Sequence, residues 1–349
     1  MVPVEWPIAT AGEGGGRDPA RAAGRGRLRT ARIDFFLNPG DRLTEQERAL
    51  MTGMLTDLVN SLSDEFRALL AGAEPANDDG EQLLDRLRSA GLLDIAELVQ
   101  LLLRRAEEER LAAAIRTASG AGRPRLLQSL VSDDDGDISA AAMAVILARG
   151  RRRDRFDRPR VIFDDLSAEA AVAMVNAIAA AFRTDLCKRF SQIEADERLG
   201  LAAKALLSRH DEGNRLEAKL FDLAHSLDAG GRIDEQLVLV SLEEGEAALL
   251  AEILARRAGI GFDDSWAHLC SGPRNLALLL RMAELGRSIA GEIVARLADI
   301  AGSDPEAEIS TFDSLPQEEV EQARAWLRLD AGYRASIDAL AVGHGQRSL

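Results

Sequence analysis

The chain has 349 residues, 46% of them apolar but only 4% aromatic, and a formal net charge of −15. That length can bury a sizeable core. With aromatics so scarce, the core must be built from leucine, alanine, isoleucine and valine, and leucine and alanine favour helix. The acidic excess falls on residues 161–349, with 19 basic against 32 acidic side chains; residues 1–160 carry 24 and 26. Such a C-terminal half repels a polyanion and argues against wholesale wrapping of nucleic acid.

Residues 1–32, including "GEGGGRDPARAAGRGRLR", read as a disordered Gly/Arg-rich arm with too little apolar surface to offset the entropy of ordering. Its glycines are followed by no GKS or GKT, so they make no phosphate loop. The first residues lack the basic start and apolar run of a signal peptide. No window approaches the roughly 18 apolar residues of a membrane span. A cytoplasmic protein without membrane contact is the expectation.

Order is expected to begin near "DFFLNPGDRLTEQERALM". Thr44 and Glu47, three apart, make a capping box that satisfies two free helix-end amides. Met51, Leu55, Leu58, Leu62, Phe66 and Leu69 recur at spacings of three and four, which predicts a long amphipathic helix to about Ala71. "GAEPANDDG" breaks it. Helical patterning then continues to about residue 335, with a C-terminal tail at 336–349. The one β-prone run is "QLVLVSL" at 236–242.

Shifting the chain by 139 residues aligns 84–146 with 223–285 without a gap, with fifteen of sixty-three positions identical. Raising the shift to 149 lays "FDDLSAEAA" at 163 on "FDSLPQEEV" at 312. Ser167 and Pro316 then coincide, and both suit a helix start. The chain therefore reads as a helical unit written twice, 33–190 with the long first helix and 191–335. "LVLVSL" lies opposite the helical "LVQLLL" and is predicted to be helix.

The same alignment bears on "SDDDGD" at 132–137. A calcium loop needs a bidentate glutamate six places after its glycine. That position is Ala142, and the second copy has "SGPRNL" where the aspartates stand. The cluster reads as a helix start, with Asp137 or Ser139 as the cap.

No catalytic, cofactor or metal signature stands out. Cys187 and Cys270 form no CxxC pair and read as reduced, partly buried thiols. His210 in "SRHDEGNR" reads as a solvated surface histidine. GxSxG and HExxH do not occur. The distinctive charged stretch is "ARGRRRDRFDRPR" at 148–160. Its candidate binding residues are Arg151, Arg152, Arg153, Arg155, Arg158 and Arg160, whose guanidinium forks suit carboxylate or phosphate. The bland alternative is a solvated loop whose arginines offset nearby acids.

"DFFLNPGDRLTEQERALMTGMLTDLV", followed by units such as "LEEGEAALLAEILARRAGI" and "LCSGPRNLALLLRMAEL", resembles an alphaproteobacterial family of helical proteins classed as a domain of unknown function. The resemblance covers most of residues 33–335. It implies a cytoplasmic helical-repeat protein and assigns no activity. Stacked helix pairs bury faces that single pairs cannot, so the expected fold is all-α: a tandem duplicated unit in a HEAT-like α-solenoid. The expected function is a non-enzymatic scaffold or regulatory adaptor holding a protein partner, with no cofactor. Nucleic-acid or phosphate-ligand binding through the arginine-rich loop 149–160 is the alternative.

Overall fold

In the computed structural model the described residues are 43–70, 80–119 and 125–345. They contain sixteen α-helices and no strand. The arm expected at 1–32 and the whole of "DFFLNPGD" at 34–41 lie outside them. Among the described residues, no helix is long and apolar enough to cross a membrane.

Helix α1 spans Glu45–Leu69. Its cap is the box expected from Thr44 and Glu47: the Thr44 amide donates to the Glu47 carboxylate at 2.8 Å, and the Glu47 amide donates to Thr44 Oγ1 at 3.2 Å. These residues belong to the N-terminal unit, Met1–Arg48, of which 43–48 are described. The described residues from Ala49 onward belong to a second compact unit. There α1 buries Met54, Leu58, Leu62 and Phe66, flanked by Val59 and Leu70. Met51, Leu55 and Leu69 are half-buried at the edge of that face.

The remaining helices follow in short steps: α2 Gly80–Ser89, α3 Ala96–Ser119, α4 Leu126–Val131 and α5 Gly136–Arg151. After the arginine stretch come a 3-10 turn at Phe163–Asp165, α6 Ala168–Leu186, α7 Gln192–Leu207 and a second 3-10 turn at Glu212–Asn214. Then come α8 Leu216–Ala229, α9 Glu235–Glu243, α10 Ala247–Ala258, α11 Phe262–Cys270 and α12 Pro273–Met282. The last four are α13 Arg287–Ala301, α14 Pro305–Ser314, α15 Gln317–Leu327 and α16 Ala331–Gly345. The β-prone "LVLVSL" is helical, within α9.

The sequence shift carries helix boundaries with it. Moved by 139, the ends of α3 fall on the start of α9 and the end of α10, and the end of α4 falls on the end of α11. Ser167 and Pro316 are the N-cap residues of α6 and α15. The matched segments also differ. Where α3 runs unbroken, its counterpart turns at Gly245, whose φ is +72°. A side chain is strained at that angle, and a Cβ there would lie 2.9 Å from the Ala112 carbonyl oxygen of α3. Gly245→Ala is therefore expected to lower stability by at least about 1–2 kcal/mol, read as a lower unfolding midpoint. An unchanged midpoint would mean that the turn does not hold α10 against α3.

Two hydrophobic cores are built from interleaved stretches of chain. One takes residues between Met54 and Ala106 together with Val161 to Leu206. The other takes Ile115 to Ala148 together with Leu216 to Leu327. Each thus draws on both sides of residue 190. Helix α3 serves both, with Leu98, Leu101, Leu102 and Ala106 in the first and Ile115 in the second. α10 is apolar almost all round and is the interior helix of the second core; a helix patterned that way must be buried.

The aspartate cluster starts α5, but its cap is Asp135, not Asp137 or Ser139. The Asp135 backbone is extended (φ −79°, ψ 113°), and its carboxylate accepts from the amides of Asp137 and Ile138 at 2.9 and 3.4 Å. Asp137 and Ser139 already lie inside the helix, and a cap needs the non-helical position just before it. Ser139 instead donates to the Val131 carbonyl at 2.6 Å and ties α5 to α4.

Candidate functional site

The middle of α3 reads "RRAEEER" at 104–110, six charges in seven positions, between the stretches that enter the two cores. A charge run of that kind is usually a solvated face. Here part of it turns inward, with Arg104 and Arg105 only 8% and 6% exposed. Both reach Glu217 of α8, at 2.9 and 2.8 Å. Arg104 also meets Asp263 of α11 at 2.6 Å, and Arg105 meets Glu108 at 2.9 Å and lies 3.8 Å from Asp165. Glu107 accepts the Trp266 indole N–H at 2.9 Å. A polar seam thus crosses the unit where the two apolar cores adjoin.

Burial by itself would raise the Glu217 carboxyl. The guanidinium charges of Arg105 and Arg104 outweigh it and hold the group down at about 2. Burial likewise disfavours the Arg105 charge, but Glu217, Glu108 and Asp165 together keep that guanidinium above its ordinary value. Both groups therefore stay ionised across the physiological range.

The candidate arginines leave this seam in two directions. Arg152, the C-cap of α5, is buried at 5% exposure. Its Nε donates to both oxygens of the fully buried Asp165, at 2.8 and 3.0 Å; Nη1 donates to the Ala148 carbonyl and Nη2 to the Asn214 carbonyl, each at 2.7 Å. Every face of that guanidinium is engaged. Arg153 is half-buried and clasps Glu109 through two bonds of 3.2 and 2.6 Å. Arg151, Arg155 and Arg158 are exposed, and Arg160 is half-buried.

The loop carrying them is tightly folded. Arg153 and Pro159 form an antiparallel bridge, and the Arg160 amide donates to the Arg152 carbonyl at 2.9 Å. The Asp154 carboxylate accepts from the amides of Phe156 and Arg158 at 2.7 and 2.8 Å. Those backbone bonds, that of Arg158 first, hold its carboxyl below the ordinary value. Asp157 turns the chain with φ +61°, a left-handed conformation that aspartate tolerates better than most residues. At the tip, Phe156 is 61% exposed, with the guanidiniums of Arg155 and Arg158 at 4.6 and 5.4 Å from its ring centre. The apolar ring is displayed, not packed away.

On the inner side of the loop, a cleft of about 110 Å³ lies between α3, the end of α5 and the Gly245 turn. Arg116, Arg149, Pro159 and Arg160 are among its walls. Arg149 pairs with Glu246. Neither Arg116 nor Arg160 has a side-chain hydrogen bond or ion pair with a described residue.

The arginine loop was legible in the sequence, but neither the seam nor the presence of Arg116 in the cleft wall was. The visible signal was a dense charge run in mid-helix, flanked by apolar turns on both sides. His210 is also placed differently from expectation. It is half-buried, with Nε2 3.1 Å from the Leu166 carbonyl and its ring edge-on to Phe163 at 4.9 Å. Phe163, at the start of the first 3-10 turn, lays its ring against the imidazole, which the polar sequence neighbours of His210 did not reveal. Both cysteines are free; Cys187 is half-buried and Cys270 exposed. Comparison with protein-family models, with curated proteins and with solved structures found no match in any of the three.

Proposed function

We propose that this protein is a non-enzymatic helical-repeat scaffold or adaptor that holds an acidic segment of a protein partner against the arginine loop. The observation that carries the reading is the loop tip, where exposed Phe156 stands between Arg155 and Arg158 on an ordered turn. Exposed aromatic and arginine side chains are the residue types that dominate binding energy at protein interfaces. Cations on a chain of net charge −15 form a local attraction that a short acidic peptide can reach, whereas a long polyanion also meets the acidic remainder. Membership of the helical family that the sequence resembles belongs to the same proposal. So does the HEAT-like solenoid of two tandem units, supported by the helix ends and N-caps that coincide under the sequence shift.

The test is site-specific photo-crosslinking from position 156 in extract of the native cell, with identification of the crosslinked peptide. The expected product is one partner peptide rich in aspartate and glutamate, lost in Arg155→Glu/Arg158→Glu and retained in Arg274→Glu. Crosslinks that are nuclease-sensitive and fall steeply with salt would replace this reading with nucleic-acid binding.

A further inference from the structure

We propose that the cleft behind the arginine loop binds a small phosphate-class dianion, inorganic phosphate or the terminal group of a phosphomonoester, between Arg116 and Arg160. The proposal concerns the inner side of the loop and does not depend on a protein partner at its tip.

Charge pairing in the cleft supports it. Three glutamates line the walls, and each is taken by its own arginine: Glu108 by Arg105, Glu109 by Arg153 and Glu246 by Arg149. Arg152 is saturated by Asp165 and two carbonyls. Arg116 and Arg160 remain, both half-buried in the cleft wall and without a hydrogen bond or ion pair to a described residue, although the Arg160 charge also acts on the Asp154 carboxylate. Half-burial weakens solvent screening and makes an anion between two guanidiniums more favourable than at an open surface.

Charge balance selects the class of anion. Two planar forks approaching from different elements can each take a pair of oxygens from one tetrahedral dianion. A carboxylate can also bridge two guanidiniums, as Glu217 does between Arg104 and Arg105, but its single charge balances only one of them, whereas a dianion balances both. The volume of about 110 Å³ suits a phosphate group and leaves the rest of any ester to lie outside, toward solvent. The cleft also abuts the Gly245 turn and the Arg149–Glu246 pair, so an occupant would brace α3 against α5 and the second core.

The test uses the full chain. Unfolding midpoints and calorimetric titrations are recorded with sodium phosphate, with glycerol 3-phosphate and with sodium chloride at matched ionic strength. The expected result is saturable binding and a raised midpoint with phosphate or with the ester and not with chloride; whichever binds more tightly identifies free phosphate or a monoester as the source. Arg116→Gln and Arg160→Gln are each expected to weaken binding at least about tenfold, the loss of charge-assisted hydrogen bonds. Arg155→Gln/Arg158→Gln should leave it unchanged. Neither cleft variant removes a hydrogen bond or ion pair between described residues, so their midpoints in chloride should stay close to that of the parent chain. The proposal is overturned if phosphate and ester act no differently from chloride, or if either cleft variant binds as tightly as the parent.

Discussion

Arg152→Ala is expected to cost about 3–5 kcal/mol of folding stability, the range for removing one partner of a buried ion pair. The residue sits among arginines that look interchangeable in the sequence, yet it is the one whose guanidinium is wholly enclosed. Its removal strands the Asp165 carboxylate, which has no solvent exposure and would keep only the Ile162 amide at 3.2 Å and Arg105 at 3.8 Å. It also frees the carbonyls of Ala148 and Asn214, which close the end of α5 and the 3-10 turn before α8. Arg152→Lys should recover little, because an ammonium cannot reproduce the fork that meets three acceptor groups at once. The measurement is denaturant unfolding of the single variants, of Asp165→Asn and of the pair. The double variant should lose clearly less than the sum of the singles. Arg151→Ala, one residue earlier and exposed, should stay within about 0.5 kcal/mol of the parent. A small loss for Arg152→Ala would mean that water reaches Asp165 and that the seam is open.

The second large effect belongs to Glu252 on the interior helix α10. It is 4% exposed and accepts no hydrogen bond from a described residue. Burial pushes its carboxyl up from 4.5 to about 7, and the Arg256 charge one turn later offsets only part of that. A carboxyl with a raised folded-state pKa is destabilising when ionised. Below about pH 4.5 it is protonated in both states and has no effect. As pH rises through 7 the folded state must carry a buried charge that the unfolded chain holds in water. The full penalty, roughly 3 kcal/mol, is present above pH 7. Glu252→Gln, of the same shape, should be more stable than the parent by up to that amount at pH 8 and equal to it near pH 4.5. Denaturant unfolding at both values checks this, and equal stabilities at pH 8 would show that the carboxylate reaches solvent or a cation. Glu217 has the opposite sign. Its depressed carboxyl adds stability that is present above about pH 4.5 and lost as pH falls toward 2. Protonation thus weakens the seam in acid, while ionisation of Glu252 strains the second core above neutrality.

The amino-acid sequence by itself determined what short-range rules decide. Leucine and alanine content and three-four spacing made the chain helical, and Thr44 with Glu47 set one helix start. The 139-residue shift revealed that "LVLVSL" is helix despite its β-prone residues, and Ser167 and Pro316 marked two further starts. Each of these depends on groups within about one helical turn, or on comparing one segment with another. Tertiary structure decided which charges are interior. Arg104 meets Asp263 across 159 positions and Arg153 meets Glu109 across 44, and no local pattern specifies such pairings. In one arginine run, Arg152 and Arg153 are held by carboxylates, Arg155 and Arg158 flank a displayed phenylalanine, and Arg160 turns into a cleft with Arg116 from a distant helix. Those fates diverge because a guanidinium's role is set by the acceptors that packing brings within about 3 Å, and that packing joins stretches far apart in the chain.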